Sequence, residues 1–189
     1  MAVPAVYMGW RRFLREPEPG ADFEERVLPL LPSAYNLARW LTRNDHDAED
    51  VVQEAFLRAY RFFPSFRGGD PRAWVLTIVR NACWTFLRAN RTREIAEGSD
   101  ETDEPVDGTA SAEEDLVRRA DGARLSRALD ELPAEFREVV VLRELEELSY
   151  REIAEVAGIP VGTVMSRLAR GRRRLQAALG RPAPSGVTA

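Results

Sequence analysis

The chain has 189 residues, enough for one domain or two small ones, and 44% of them are apolar, which is sufficient to build a core. All 27 basic residues are arginine and there are 31 acids, so the net charge of −4 excludes a protein that binds nucleic acid by bulk positive charge. One cysteine and one histidine exclude an internal disulfide and a zinc site built from Cys and His. The exclusive use of arginine is typical of a GC-rich genome, so the arginine clusters carry more functional information than the total.

The sequence holds no apolar stretch of the length that a membrane-spanning helix needs. At the N-terminus the apolar residues precede the arginines, the reverse of the order in a secretory signal peptide. The sequence therefore predicts a cytoplasmic protein without membrane insertion. Cys83 lies in an apolar helical pattern and is predicted to be buried.

Residues 1–21 hold three prolines and two glycines and are predicted to form a loose, flexible extension. Residues 22–93 are predicted to form a first small helical domain. Its predicted helices are 23–42 with interruptions at Pro29 and Pro32, 47–63, and, after a loop at 64–69, a helix from Pro71 to about residue 90. Asp70 is the expected cap of the third helix, because an aspartate followed by proline is a frequent helix start.

Acidic side chains crowd the start of the second predicted helix. They are Asp45, Asp47, Glu49, Asp50 and Glu54. Acids at this end complement the helix dipole, which is one explanation. Five acids exceed what capping needs, so an acidic face for a basic partner is an equally good alternative.

The third predicted helix has the opposite charge. Five arginines and no acid lie between Arg72 and Arg93, with Trp74, Trp84 and Phe86 among them. Arginine with aromatic rings suits single-stranded nucleic acid, because bases stack on the rings and phosphates pair with guanidinium. Trp74 and Phe86 are equally compatible with a core position, and we expect them there, whereas the place of Trp84 stays open.

Residues 94–112 are predicted to form a flexible acidic linker. The segment 94–115 holds ten acids and no base, and Gly, Ser, Thr and Pro fill most of the remaining positions. Like charges keep such a segment extended, and it has too little apolar surface to order itself. A second helical domain is predicted at 113–180 and a C-terminal tail at 181–189.

The second domain ends in a predicted helix-turn-helix. Ser149 and Glu152 form a capping box for the first helix, Gly158 provides a left-handed exit, and Pro160 favours the start of the second helix. The predicted buried side of the second helix consists of Val164, Leu168, Leu175 and Leu179. After Glu155 there are six arginines and no acid, a distribution that favours DNA binding over an ordinary helical hairpin with a solvated basic face.

These motifs, in this order, resemble the sigma factors of bacterial RNA polymerase, in particular the extracytoplasmic-function (ECF) group that keeps only sigma regions two and four. The resemblance covers roughly residues 23–92 and 113–179. The segments that carry it are 47–56 (DAEDVVQEAF), 74–81 (WVLTIVRN), 132–133 (LP), 149–154 (SYREIA) and 159–168 (IPVGTVMSRL). The chain departs from the family at Thr85, where aspartate is frequent, and at Met165, where lysine or arginine is frequent.

The resemblance implies an all-α fold with a region-two helical bundle, a flexible acidic linker and a region-four helix-turn-helix. It implies binding to the β′ clamp helices and the β flap of core RNA polymerase, to promoter DNA and to an anti-sigma factor. The residues that it implies for core polymerase are Asp47, Asp50, Gln53, Glu54 and Arg58. Those for the minus-ten element are Phe66, Arg67, Gly68, Gly69, Asp70, Arg80, Asn81, Trp84 and Arg88. Those for the minus-thirty-five element are Pro160, Val161, Gly162, Thr163, Met165, Ser166, Arg167, Ala169, Arg170, Arg173 and Arg174.

The expected activity is binding without catalysis. The sequence offers no metal cluster, no phosphate-binding glycine loop and no nucleophile–base pair, so no cofactor, metal or catalytic residue is predicted. No obligate homo-oligomer is predicted. The alternative is a helix-turn-helix regulator that binds operator DNA without polymerase, which would need symmetric half-sites and a dimer surface.

Overall fold

A computed structural model of the chain describes residues 20–97 and 113–180, which form helices and short connections with no β-strand in those ranges. The chain divides into two compact units, Met1–Ser99 and Asp100–Ala189. The predicted all-α class with two small helical domains is confirmed. The predicted C-terminal tail lies outside the described residues, as does most of the predicted N-terminal extension and of the acidic linker.

The described part of the first unit contains four α-helices. They are α1 (Gly20–Arg26), α2 (Leu31–Thr42), α3 (Asp45–Phe62) and α4 (Pro71–Glu97), with 3-10 turns at Leu28–Leu30 and Phe63–Ser65. The helix α1 begins two residues before the predicted domain boundary. The helix α4 runs seven residues beyond its predicted end and four beyond the boundary with the linker.

The helices α2, α3 and α4 pack against one another and enclose the core of the first unit. Alanines allow the helix axes to approach closely, and Leu37, Phe56, Leu76 and Val79 fill the space between them with at most 1% exposure. The buried alanines are Ala34, Ala38, Ala48, Ala55 and Ala59. Cys83 is fully buried in α4, as predicted.

The turn between α2 and α3 explains why α3 begins earlier than predicted. Arg43 ends α2 with a left-handed backbone at φ 67°. The Asn44 side chain then accepts hydrogen bonds from the backbone N–H groups of His46 (2.8 Å) and Asp47 (3.1 Å) and caps α3. The capping residue is therefore an asparagine outside the acidic cluster, and Asp45 and Asp47 belong to the first helical turn.

In residues 113–180 of the second unit there are likewise four α-helices. They are α5 (Glu113–Asp130), α6 (Ala134–Val140) continued by a π-helical turn at Val141–Leu145, α7 (Tyr150–Ala157) and α8 (Val161–Gly180). The predicted capping box is present, with Ser149 N–H donating to Glu152 at 2.7 Å and Glu152 N–H donating to Ser149 Oγ at 3.3 Å. Gly158 has φ 64°, so the predicted left-handed exit from α7 is confirmed. The helix-turn-helix is formed by α7 and α8.

The helix α8 packs against α5, α6 and α7. Val164 and Leu168 are buried as predicted, but Leu175 and Leu179 are only half-buried, because the second half of α8 is covered less completely. The third buried position is Gly171, where a Cβ atom would lie 2.9 Å from Val140 Cγ2. The absence of a side chain at this position therefore lets α8 approach α6. None of the helices in the two described ranges is long and apolar enough to cross a membrane.

We predict that Gly171→Ala destabilises the second unit relative to Gly122→Ala. Both glycines lie inside helices, but among the described residues no atom lies within 4 Å of a Cβ built at Gly122. Alanine should gain about 0.5–1 kcal/mol of helix propensity at either site. At Gly171 the gain is opposed by overpacking, which costs about 1–3 kcal/mol. Thermal unfolding followed by circular dichroism should give Gly171→Ala a lower melting temperature than Gly122→Ala. Equal melting temperatures would show that a Cβ atom at position 171 does not overpack the contact with Val140.

Candidate nucleic-acid and polymerase interfaces

The outer face of α3 presents the predicted polymerase-binding side chains together. Asp50, Gln53, Glu54 and Arg58 are exposed, and Asp47 is half-buried in the first turn. Their spacing of three and four residues places them opposite the buried set that begins at Ala48. Glu54 and Arg58 form an ion pair one turn apart. The result is an exposed acidic stripe with a single internal cation, which we call the α3 stripe.

The α3 stripe also contains an apolar residue that sequence reasoning missed. Leu57 follows Gln53 by four residues and is 47% exposed, and Phe62 at the end of α3 is 60% exposed. Large apolar side chains surrounded by charges are common at the centre of protein interfaces. The spacing of three residues from Glu54 and four from Gln53 was the available signal for Leu57.

Asp45 has a structural function, although it belongs to the same acidic cluster in the sequence. It pairs with Arg39 of α2 and accepts a hydrogen bond from Tyr35 Oη at 3.2 Å. Burial, followed by the negative charge of Asp45, raises the pKa of Tyr35, so the hydroxyl stays protonated as the donor. Asp45 thus joins α2 to α3, while Asp50 and Glu54 stay available on the outer face.

In the loop before α4, the Phe66 ring is packed against its own unit, whereas residues 67–70 are exposed. The Phe66 ring is half-buried and lies 4.9 Å from the Trp74 ring and 6.0 Å from the Phe63 ring, between centroids. The guanidinium of Arg26 covers it at 5.3 Å. Phe66 therefore contributes to an aromatic cluster of its own unit, and the hypothesis that it stacks on a base has to compete with this packing.

The remaining loop residues face solvent. Arg67, Gly68, Gly69 and Asp70 are exposed, and the glycines have φ of 92° and 99°, which residues with a Cβ rarely adopt. Asp70 accepts a hydrogen bond from Arg72 N–H at 2.9 Å, so its predicted capping of α4 is confirmed. The exposed backbone and the Arg67 charge together form the accessible part of the loop.

Four predicted minus-ten residues share one face of α4. The Arg80 guanidinium lies 5.7 Å from the Trp84 ring and donates to Asn81 Oδ1 at 3.2 Å. Arg88 Nε donates to the Trp84 carbonyl at 3.0 Å. Trp84 is half-buried, so part of its ring stays accessible. Phe86 and Trp74 are half-buried as well, so neither is fully in the core as expected, although the Trp74 ring packs on the Phe63 and Phe66 rings. The fully buried positions of this part of α4 are Ala82 and Cys83.

The helix α8 exposes most of the residues predicted to bind the minus-thirty-five element. Thr163 and Arg167 are half-buried. The exposed members are Pro160, Val161, Gly162, Met165, Ser166, Ala169, Arg170, Arg173 and Arg174. The Arg174 guanidinium lies over the Phe136 ring at 5.4 Å. Arg172, on the same helix, donates to Glu144 at 3.0 and 2.6 Å, and these hydrogen bonds raise its pKa further.

Arg167 interacts with acids of its own unit. Its Nη2 lies 3.3 Å from Glu135 Oε2, and its Nη1 lies 4.0 Å from Glu138 Oε2. Glu138 is 0% exposed, so the arginine helps to compensate a buried charge in α6. The structure thus gives Arg167 a role in positioning α8, which the sequence did not reveal because α6 precedes Arg167 by about 30 residues.

Comparison with known families identifies both units. The family models for sigma-70 region 2 and sigma-70 region 4 match residues 26–93 and 122–175. The ECF RNA polymerase sigma factor SigE of Mycolicibacterium smegmatis is 37% identical over 156 residues, which are 82% of this chain and 60% of that protein, so the match spans less than two thirds of this relative. The ECF RNA polymerase sigma-E factor of Haemophilus influenzae is 33% identical over 81% of this chain and 87% of its own length.

Solved structures agree with this assignment. The sigma factor RpoE, in its complex with the anti-sigma factor NepR from Bartonella quintana, is 29% identical and has a TM-score of 0.72. The similarity covers 86% of this chain and 99% of that chain.

We predict that Arg167→Ala lowers the free energy of unfolding of the second unit by about 1–3 kcal/mol, because it removes a partner of the buried Glu138 carboxyl group. Exposed Arg170 on the same helix is the matched control, and Arg170→Ala should be nearly neutral for stability. In a Glu138→Gln background the effect of Arg167→Ala should shrink, because the carboxylate is gone. Chemical denaturation of the four variants measures this coupling, and equal losses in both backgrounds would contradict it.

Proposed function

The chain belongs to the ECF group of the sigma-70 family, and on that premise we propose that it binds core RNA polymerase, directs it to specific promoters and helps to open them. The observation that carries the proposal is the charge separation within one chain. The first unit offers the acidic α3 stripe beside a basic face on α4, and the second unit offers the basic face of α8. Such a protein acts in the cytoplasm, by binding and without catalysis.

The α3 stripe is the proposed contact with the β′ clamp helices of core polymerase. Exposed Asp50, Gln53 and Glu54 offer carboxylates and an amide to a basic partner, and Arg58 orients Glu54 through their ion pair. Leu57, beside Arg58 near the end of the stripe, gives the interface an apolar contact. A contact with the β flap is proposed for the second unit.

The loop before α4 and the basic face of α4 are the proposed minus-ten site. A base that leaves the duplex loses a few kcal/mol of stacking and pairing, which contacts in a protein pocket offset. Gly68 and Gly69 let the backbone come close to a base, while Arg67 and Arg88 are placed for phosphates. The accessible part of Trp84 can stack on a base, and Phe66 supports the loop from its aromatic cluster.

The helix α8 is the proposed minus-thirty-five site. Exposed Arg170, Arg173 and Arg174 lie on the half of α8 that carries the positive charge, and phosphate contacts of arginine position a recognition helix. Arg167 holds α8 on α6 and is proposed to act mainly through this position. The solved relative with NepR supports the further proposal that an anti-sigma factor inhibits this chain as well.

Sequencing the transcripts made by core polymerase with and without the protein tests the proposed function. We expect a new set of start sites that share two upstream elements. If the protein alone bound a symmetric DNA site tightly and gave polymerase no new start sites, the operator-binding regulator would be the correct function.

We predict that charge reversal at Asp50 and Glu54 weakens binding to core polymerase and leaves the helical content unchanged. Both side chains are exposed, so neither substitution disturbs the core. Loss of a close interfacial ion pair costs about 2–5 kcal/mol. Exposed Glu24 on α1 is the matched control, and Glu24→Arg should bind normally. An unchanged dissociation constant for the Asp50→Arg, Glu54→Arg variant would exclude this docking face.

We predict that alanine substitution of Arg67 impairs promoter opening, whereas alanine substitution of Phe66 lowers stability. Arg67 is exposed, so Arg67→Ala should keep the melting temperature and core binding but reduce permanganate reactivity of thymines at the start site. Arg67→Lys keeps the charge and should retain most of the opening. Phe66→Ala should instead lower the free energy of unfolding by about 1–3 kcal/mol, because it removes a packed ring. Full opening by Arg67→Ala would contradict the role of the exposed loop, and a fully stable Phe66→Ala would contradict that of the ring.

A further inference from the structure

The first turns of α8 carry an exposed apolar strip. Val161, Met165 and Ala169 are spaced by four residues, so they lie on one side of the helix. Val161 is 39% exposed and Met165 is 53% exposed, and Ala169 is exposed as well. The core contacts of α8 are made by Val164, Leu168 and Gly171 instead. The strip is thus a feature of the surface that the packing of the unit does not require.

Hydrogen-bonding groups are scarce beside this strip. The segment 161–166 contains no charged residue. The Ser166 hydroxyl donates to the Thr163 carbonyl at 3.0 Å, and the Thr163 side chain is half-buried. The groups that the beginning of α8 offers to a partner are therefore mainly methyl and methylene groups.

Gly162 lies beside this strip and has no side chain to keep a partner away from the helix backbone. Within the described part of the chain, no atom lies within 4 Å of a Cβ built at Gly162, so packing does not demand a glycine there. A glycine in an exposed first turn does allow the backbone to approach a partner surface closely.

The charge that follows the strip indicates the partner. Exposed Arg170 and Arg173 lie one and two turns beyond Met165, and no acid follows Glu155 in the chain. An apolar protein groove would not explain this charge, whereas a polyanion does. The base group in the major groove that matches an apolar side chain is the C5-methyl group of thymine.

We infer that Val161, Met165 and Ala169 recognise thymine methyl groups in the upstream promoter element, with Met165 as the main specificity-determining residue. The inference rests on the proposed function, since it assumes that α8 lies in the major groove. Arg170 and Arg173 hold the phosphates or neighbouring bases, and the strip selects thymine over cytosine at one or two positions.

The test uses core polymerase with the full-length protein and a pool of duplex DNA randomised at the upstream element. The selected element is then synthesised with each thymine replaced in turn by deoxyuridine, which removes one methyl group and keeps the base pairing. At one or two positions the substitution should weaken binding about fourfold, the value expected for one buried methyl group. Met165→Ala should bring this ratio to about one at the position that Met165 contacts, and Met165→Leu should retain it.

Arg170→Ala is the matched control on the same helix. It should weaken binding to thymine and deoxyuridine duplexes equally and leave their ratio unchanged. A selected element without thymine, a ratio of one at every position, or a ratio that survives Met165→Ala would overturn the inference while leaving the proposed function intact. Failure of polymerase with the protein to select any element would overturn the proposed function itself.

Discussion

The close packing of α8 on α6 decides which side chains of α8 are exposed to a partner. Gly171 removes the side chain that would otherwise separate the two helices, and Val164 and Leu168 fill the contact on the same side. Arg167 adds ion pairs with Glu135 and with buried Glu138. Because these contacts set the rotation of α8 about its axis, they leave the apolar strip exposed on a flank of the helix and Arg170 and Arg173 on the side away from the core. The surface that we propose for DNA binding is therefore a consequence of the core.

The same relation holds for α3 in the first unit. Its buried positions include Ala48, Ala55 and Ala59, whose small side chains bring α2 and α4 close and leave no freedom of rotation. The acids of the α3 stripe then have to lie outside. Asp45 is the exception that stays within the unit, because Arg39 and Tyr35 of α2 reach it. Neighbouring acids in one sequence cluster can thus have different functions, one structural and the others available for a partner.

Much of this architecture could be predicted because its signals are local. The capping box at Ser149, the left-handed turn at Gly158 and the apolar periodicity of α3 each depend on residues within one or two turns. The features that the sequence did not reveal depend on distant partners. In the sequence Gly171 has no special role, and only the structure shows that Val140 packs against it. The sequence likewise predicts that Arg167 contacts DNA, whereas the structure places it beside buried Glu138. The sequence likewise predicts an exposed stacking ring at Phe66, whereas in the structure this ring packs against Trp74 and Arg26.

Guanidinium groups stacked on aromatic rings occur in both units. Arg26 lies over Phe66 and Arg174 over Phe136, at 5.3 and 5.4 Å from the ring centroids. Such contacts combine dispersion with attraction to the ring, and ionic strength weakens them less than it weakens the attraction between an arginine and a phosphate at an open surface. Binding to DNA releases counterions and so falls steeply as salt is added. Added salt should therefore dissociate the protein from DNA at concentrations at which both units remain folded. The salt dependence of DNA binding can then be measured without interference from unfolding.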